Sequence, residues 1–203
     1  MRKVDENKLQ KKNALLQSSF DLFLSHGFSK TTISDISKKA GLAKGTFYLY
    51  FKDKYDLRDK LISYKASQLL EEAHQVMKSR PNAPDFETAV LEMCDYVIEQ
   101  LEKDPKLLYF LSKNLSWGIF KNILEHDIST EESIPFMDYY KEKLAYYHVR
   151  CEHVDLMLFT VIELVSSTCY SCIIHQQPVS MDVYQPFLHE SIRGILKVYL
   201  VQE

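Results

Sequence analysis

Apolar residues along the chain recur every three to four positions in long stretches, the spacing of one buried helix face rather than the alternation of a strand. Over residues 8–25, Leu15, Leu16, Ser19, Phe20, Leu22 and Phe23 form a broad apolar face, and Gly27 is suited to the left-handed position after a helix end. Thr32 and Asp35 have capping-box spacing ahead of a short helix over 33–40. Gly41 breaks the chain, a second short helix covers 43–50, and Asp53 can cap a long helix over 55–79. Pro81 and Pro84 mark a linker. A helix over 86–103 follows, with Val90, Met93, Val97 and Leu101 on one face. Asp104-Pro105, a cap followed by a first-turn proline, opens the next, which runs to about 117. A further segment spans 119–125, a polar loop 127–132, and Pro135 opens a helix to about 147. Two long helices over 152–175 and 182–200 complete the chain. No segment reads as a convincing strand. The predicted class is all-α, with an N-terminal three-helix helix-turn-helix head over 8–54 joined to a larger helical body over 55–203.

Charge sharpens this division. The 203 residues carry a net charge of −3, but residues 1–60 hold 13 Lys or Arg against 7 Asp or Glu, while the remainder holds 12 against 21. A basic module attached to an acidic body suits contact with a polyanion at one end only. Four cysteines at irregular spacing make no disulfide framework and fit a reducing cytoplasm. No apolar run is read as long enough to cross a membrane, and the N-terminus has no apolar signal core. A cytoplasmic protein without a membrane partner is expected. Cys169 and Cys172 have the spacing of a metal or redox pair, but with His175 they fall short of a closed zinc site, so packing is the preferred reading. No metal and no cofactor are expected. The chain contains no phosphate loop, His-Glu-x-x-His or nucleophile elbow, and an enzyme is not expected.

Residues 28–52 concentrate the chemistry. Ile33, Ile36 and Ala40 give one short helix a buried face, Gly41 supplies the turn, and Leu42 and Phe47 plug the angle to the second helix. Gly45 in the second helix costs roughly 1 kcal/mol relative to alanine, but it lets another backbone approach closely. Lys44, Thr46, Tyr48 and Tyr50 place a cation and three hydroxyls beside it, the side chains that bind phosphates. Either tyrosine could instead pack as a core aromatic; beside Gly45 and Lys44, Tyr48 is read as a phosphate contact, and Tyr50 is left open between the two.

The run Gly27-Phe28, Thr32, Ile36, Ala40-Gly41 and Lys44-Gly45-Thr46-Phe47-Tyr48-Leu49-Tyr50-Phe51-Lys52-Asp53-Lys54 resembles the signature of the tetracycline-repressor (TetR) family. The resemblance implies a body that binds small molecules and a homodimer built by the last two helices. It also implies a double-stranded DNA partner with an inverted-repeat operator. Thr31, Thr32, Lys44, Gly45, Thr46, Tyr48, Leu49, Tyr50 and Lys54 are then the expected DNA-binding residues, with Thr32 also capping its helix. Three positions depart from the pattern: Ala43 replaces a capping Ser or Thr, Ser37 replaces a more usual alanine, and Leu49 stands at a commonly polar position.

Aromatic residues are dense in the body, and Tyr109, Trp117, Phe120, Tyr140, Phe159 and Glu163 are the candidate lining of a pocket for an apolar or aromatic effector. Glu163 interrupts an apolar run; it is read as a dimer-seam residue, a solvent-facing one, or a partner for a cationic ligand. Phe159, Ile162, Cys169 and Ile173 on one long helix, with Phe187, Ile192 and Ile195 on the other, are the candidate dimer interface. The expected function is a DNA-binding repressor released by a small ligand. A scaffold of the same fold that docks a protein is the alternative.

Overall fold

The structure is a computed structural model and describes residues 3–114 and 136–201. It divides into two compact units, residues 1–62 and 63–203, with the boundary inside one continuous helix.

Three helices and the start of a fourth build the first unit: α1 (Lys3–His26), α2 (Ile33–Lys39), α3 (Lys44–Phe47) and α4 (Lys54–Ser79). Leu15, Leu16, Phe20 and Phe23 of α1 meet Ile36, Phe47, Phe51, Leu57 and Leu61 in its core, all buried. The Phe47 and Phe51 ring centroids lie 5.5 Å apart. Thr32 caps α2: its hydroxyl accepts from the Asp35 amide at 3.1 Å, and the Asp35 carboxylate accepts from the Thr32 amide at 3.0 Å. Gly27 and Gly41 hold φ of +81° and +67°, which a residue with a Cβ adopts only with strain. The amide of Gly27 donates to Phe23 and that of Leu42 to Ser37, closing the two helix ends. α3 is shorter than the eight positions the pattern predicts. Ala43 offers no side-chain cap, and after Phe47 the backbone tightens into three-residue bonds, Leu49 to Thr46 and Tyr50 to Phe47.

The second unit contains the rest of α4, α5 (Phe86–Lys103), α6 (Pro105–Asn114), α7 (Phe136–Tyr146), α8 (Val154–Cys169) and α9 (Met181–Tyr199). Asp85 caps α5 by accepting from Thr88, and Asp104 caps α6 by accepting from Lys106 and Leu107. Pro105 follows its cap at the first position of α6, where its missing N–H costs nothing. α9 packs on α8 and α5. Arg193 pairs with Glu87 at 2.8 Å, and Asp95 accepts from Gln185 and meets His189 at 2.7 Å. The Thr160 and Tyr199 hydroxyls lie 3.0 Å apart across α8 and α9.

Three features depart from the sequence expectations. A two-residue antiparallel pair, β1 (Arg150–Cys151) with β2 (Leu200–Val201), joins the start of α8 to the end of α9. Its strands are too short to show alternation, and the pairing spans distant sequence. The long helix predicted over 152–175 changes at Tyr170 into a π-helical turn, Tyr170–Ile174. The combined run Val154–Ile174 is, by length and composition, long and apolar enough to cross a membrane. Its charged residues are only Asp155 and Glu163, and the hydroxyls of Thr160, Thr168 and Ser171 bond back to the helix's own carbonyls. Such a composition also suits a core helix, and Met157, Leu158, Val161, Val165 and Cys169 of this run are buried.

Ser37, the departure noted in α2, is buried with its hydroxyl lacking a hydrogen-bond partner among the described residues. An unsatisfied buried hydroxyl costs about 1–3 kcal/mol, and alanine removes it without leaving a large cavity. Ser37→Ala is expected to stabilise the chain by about 1 kcal/mol, read as a higher urea midpoint at unchanged slope.

Candidate nucleic-acid interface and apolar chamber

Lys44, Gly45, Tyr48 and Leu49 are exposed on the first unit, Tyr48 by 53% and Leu49 by 79%, while Thr46 and Tyr50 are partly covered. Phe47 between them is fully buried and anchors the turn, and the Tyr48 ring rests edge-on against it at 5.4 Å. A Cβ added at Gly45 would meet nothing within 4 Å, so packing inside the chain does not require glycine there. The result is a small surface of one cation, one bare backbone segment, one phenol and one aliphatic side chain.

Two expected DNA contacts are corrected by this geometry. Thr31 is 2% exposed, and its hydroxyl donates to the Gly27 carbonyl at 2.9 Å. It fastens the end of α1 and does not face outward. The Lys54 ammonium donates to the Phe28 carbonyl at 2.8 Å and the Thr31 carbonyl at 2.9 Å, with the Ser29 carbonyl at 3.5 Å. It also lies 4.4 Å from the centroid of the Phe28 ring. This cation is spent on the turn before α2 rather than extended towards a phosphate. Thr32 is exposed, but its hydroxyl proton is committed to Asp35 at 2.6 Å. Those hydrogen bonds from the Thr32 side chain and backbone hold the Asp35 carboxyl below its usual range. A carboxylate at that corner disfavours an anion, so Thr32 serves chiefly as the cap.

Lys52 was missed by sequence reasoning. It is exposed, directly follows the Tyr48–Phe51 turn, and has no ion pair among the described residues. By contrast Lys39 pairs with Asp21 at 3.0 Å and Lys60 with Asp56 at 3.0 Å. The signal was the Lys52-Asp53-Lys54 turn, but sequence alone does not say which lysine turns inward.

The second unit encloses an apolar chamber of about 380 Å³, a volume within the range of small-molecule sites. Tyr140, Phe159 and Glu163 line it, as does Ile162. Tyr109 does not: it is 49% exposed and touches the chamber only through Tyr170, 6.4 Å away between ring centroids. Trp117 and Phe120 lie outside the described residues. Cys94 also lines the chamber, and burial pushes its thiol up to about 12. Burial likewise raises the Tyr140 phenol well above its usual value.

The seven candidate interface residues separate. Phe187 is 65% exposed, and Ile173 and Ile195 are partly exposed. Phe159 and Ile162 point some of their surface into the chamber. Cys169 and Ile192 are fully buried within the single chain and cannot form a contact surface. Val183 and Val198, 49% and 79% exposed, were missed; with Phe187, Ser191 and Gly194 they continue one face of α9 at helical spacing.

A helix-turn-helix head on a helical body is the class these geometries define. Residues 15–61 match the family described as bacterial regulatory proteins, tetR family. That match takes in the head alone, under a quarter of the chain. It is 31% identical over 71 residues to the fatty acid metabolism regulator protein of Bacillus subtilis, covering 35% of this chain and 37% of that one. It is 38% identical over 93 residues to the HTH-type transcriptional regulator YvdT of the same organism, covering 44% and 46%. The chain thus aligns with less than half the length of these curated relatives. Among solved structures it resembles a TetR-family transcriptional regulator from Haemophilus influenzae, with TM-score 0.61 and 16% identity over 98% of this chain and 100% of that one. It also resembles the transcriptional regulator FadR from Bacillus subtilis in complex with stearoyl-CoA, with TM-score 0.62 and 18% identity over 88% and 96%. At such identities the likeness is one of fold.

The Lys54 geometry makes a direct prediction. Lys54→Met removes charge-assisted hydrogen bonds worth about 1.5–3 kcal/mol and should lower stability by that order. Lys52→Met should change it by less than about 0.5 kcal/mol. Urea unfolding of the two variants distinguishes them.

Proposed function

We propose that the chain is a transcriptional repressor that binds an inverted-repeat operator as a homodimer and leaves it when a small apolar molecule enters the chamber. The observation that carries this reading is the pairing of the outward Lys44-Gly45-Tyr48-Leu49 surface on a basic head with an apolar chamber in a separate unit. Lys44, Tyr48 and Lys52 supply phosphate contacts, Gly45 lets the DNA backbone approach, and Leu49 meets a base edge such as a thymine methyl. Thr46 and Tyr50 contribute what remains exposed of their hydroxyls. The neighbour holding stearoyl-CoA supports a small-molecule occupant for a body of this fold.

A second copy docks on the exposed face of α9 through Val183, Phe187 and Val198, with Leu156 of α8, 46% exposed, beside them. Apolar side chains left in water along two adjacent helices favour burial against a symmetry mate. Two heads held by such a dimer meet successive major grooves. The ligand acts by binding more tightly to a conformation whose heads are wrongly spaced, and α4, which contributes to both units, is the coupling element.

Binding to DNA upstream of the chain's own coding sequence should weaken steeply with salt. Lys44 and Lys52 of both protomers neutralise about four phosphates and give a log–log slope near −4, and a slope near zero would defeat the reading. Replacing Lys44 and Tyr48 by alanine should cost at least tenfold in affinity and flatten that slope by about 2 per dimer, since only the lysine is a cation. Phe187→Glu places a charge in the proposed seam. It should give a monomer by sedimentation at micromolar concentration, and operator affinity should fall with it.

A further inference from the structure

We propose that the chamber selects an apolar molecule carrying a positive charge at one end, such as an alkylammonium, with Glu163 receiving that charge. This rests on the ligand-responsive reading above and names the ligand class for the same site.

The chamber's depth is hydrocarbon: Val90, Met93, Leu108 and Leu111 face it from α5 and α6. Its volume of about 380 Å³ lies at the lower end of the range of small-molecule sites. That admits a short chain or one or two rings. Hydroxyls reach it from Ser112 on α6, Tyr140 on α7, and Ser166, Ser167, Tyr170 and Ser171 on α8 and the π turn. Glu163 stands on α8 about one turn before Ser166 and Ser167.

Glu163 is the sole charged side chain among the described residues that line the chamber. It is exposed and makes no ion pair among the described residues. Its backbone carbonyl, not its carboxylate, accepts from Ser166 at 3.4 Å. Among the described residues, one carboxylate therefore stands unpaired where an apolar cavity meets water.

A ligand that fills this chamber covers part of Glu163. A neutral apolar ligand strips water from the carboxylate and returns nothing, which costs free energy. A ligand with its own carboxylate or phosphate adds repulsion, and the described lining holds no Lys, Arg or His to offset it. An ammonium group restores a partner for the carboxylate while its hydrocarbon fills the depth. Because Glu163 remains wet, the gain is that of a surface pair and sets preference rather than dominating affinity.

The test is calorimetric titration of the full chain with three probes sharing an eight-carbon tail: octyltrimethylammonium, octanol and octanoate, all below micelle formation. The cation should bind tightest, about tenfold over octanoate. Glu163→Gln should bring the cation and the anion to within about twofold of each other while leaving octanol within twofold of its original affinity. Octanoate binding as tightly as the cation, or a ranking unchanged in Glu163→Gln, overturns the charge preference and leaves the apolar chamber as a ligand site. Saturable binding by none of the three overturns the preference and the ligand-responsive reading together.

Discussion

The Lys54 ammonium, held against the carbonyls of Phe28 and Thr31, is the constraint on which the head depends. Those carbonyls belong to the turn leaving α1, so one side chain from the start of α4 ties together the exit of the first helix and the entry to the second. Thr31 adds its own bond to the Gly27 carbonyl, and the Phe28 ring is bracketed by Phe23 at 5.2 Å, Tyr55 at 5.1 Å and the lysine itself. With that corner fixed, the capping box of Thr32 and Asp35 sets the direction of α2, and Gly41 sets the crossing of α3. The outward surface of Lys44, Gly45 and Tyr48 is a consequence several steps removed from the interaction that positions it.

The body is organised differently. Side-chain ties join α5 to α9, through Asp95 with Gln185 and His189 and through Glu87 with Arg193. These are partly exposed pairs and contribute modestly to stability. Met157, Leu158, Leu188, Ile192 and Leu196 do the packing between α8 and α9. The same two helices retain apolar side chains on a face the chain does not cover, while α8 also forms one side of the chamber. Two faces of α8 thus meet different surroundings, one the chamber and the other solvent.

What sequence could reveal here was local. The capping boxes and caps at Thr32, Asp85 and Asp104 depend on contacts within a few residues, and so do the positive-φ glycines at 27 and 41. Spacing rules capture such contacts. The fates of Thr31 and Lys54 depend on residues up to 26 positions away, and a hydroxyl or ammonium in a basic segment looks the same whether it faces inward or outward. Ile192 and Cys169 belonged to recognisable apolar stripes, but a stripe does not say which of its members the neighbouring helix covers. Tyr109 failed as a chamber residue for a related reason: aromatic density in α6 is visible, but rotation of that helix about its axis is not. The pairing of β1 with β2 joins residues some fifty positions apart and leaves no pattern in either.

Cys94 gives the chamber one further property. Burial pushes its thiol up to about 12, which keeps it in the protonated, poorly nucleophilic form at neutral pH. An electrophile or oxidant reaching the chamber would meet a sulfur that behaves as hydrocarbon. Occupancy would then be governed by exchange with the surrounding solution and would lapse as the visitor is diluted. The cysteine sulfur that lines the chamber among the described residues is thus unsuited to hold a visitor by a covalent bond.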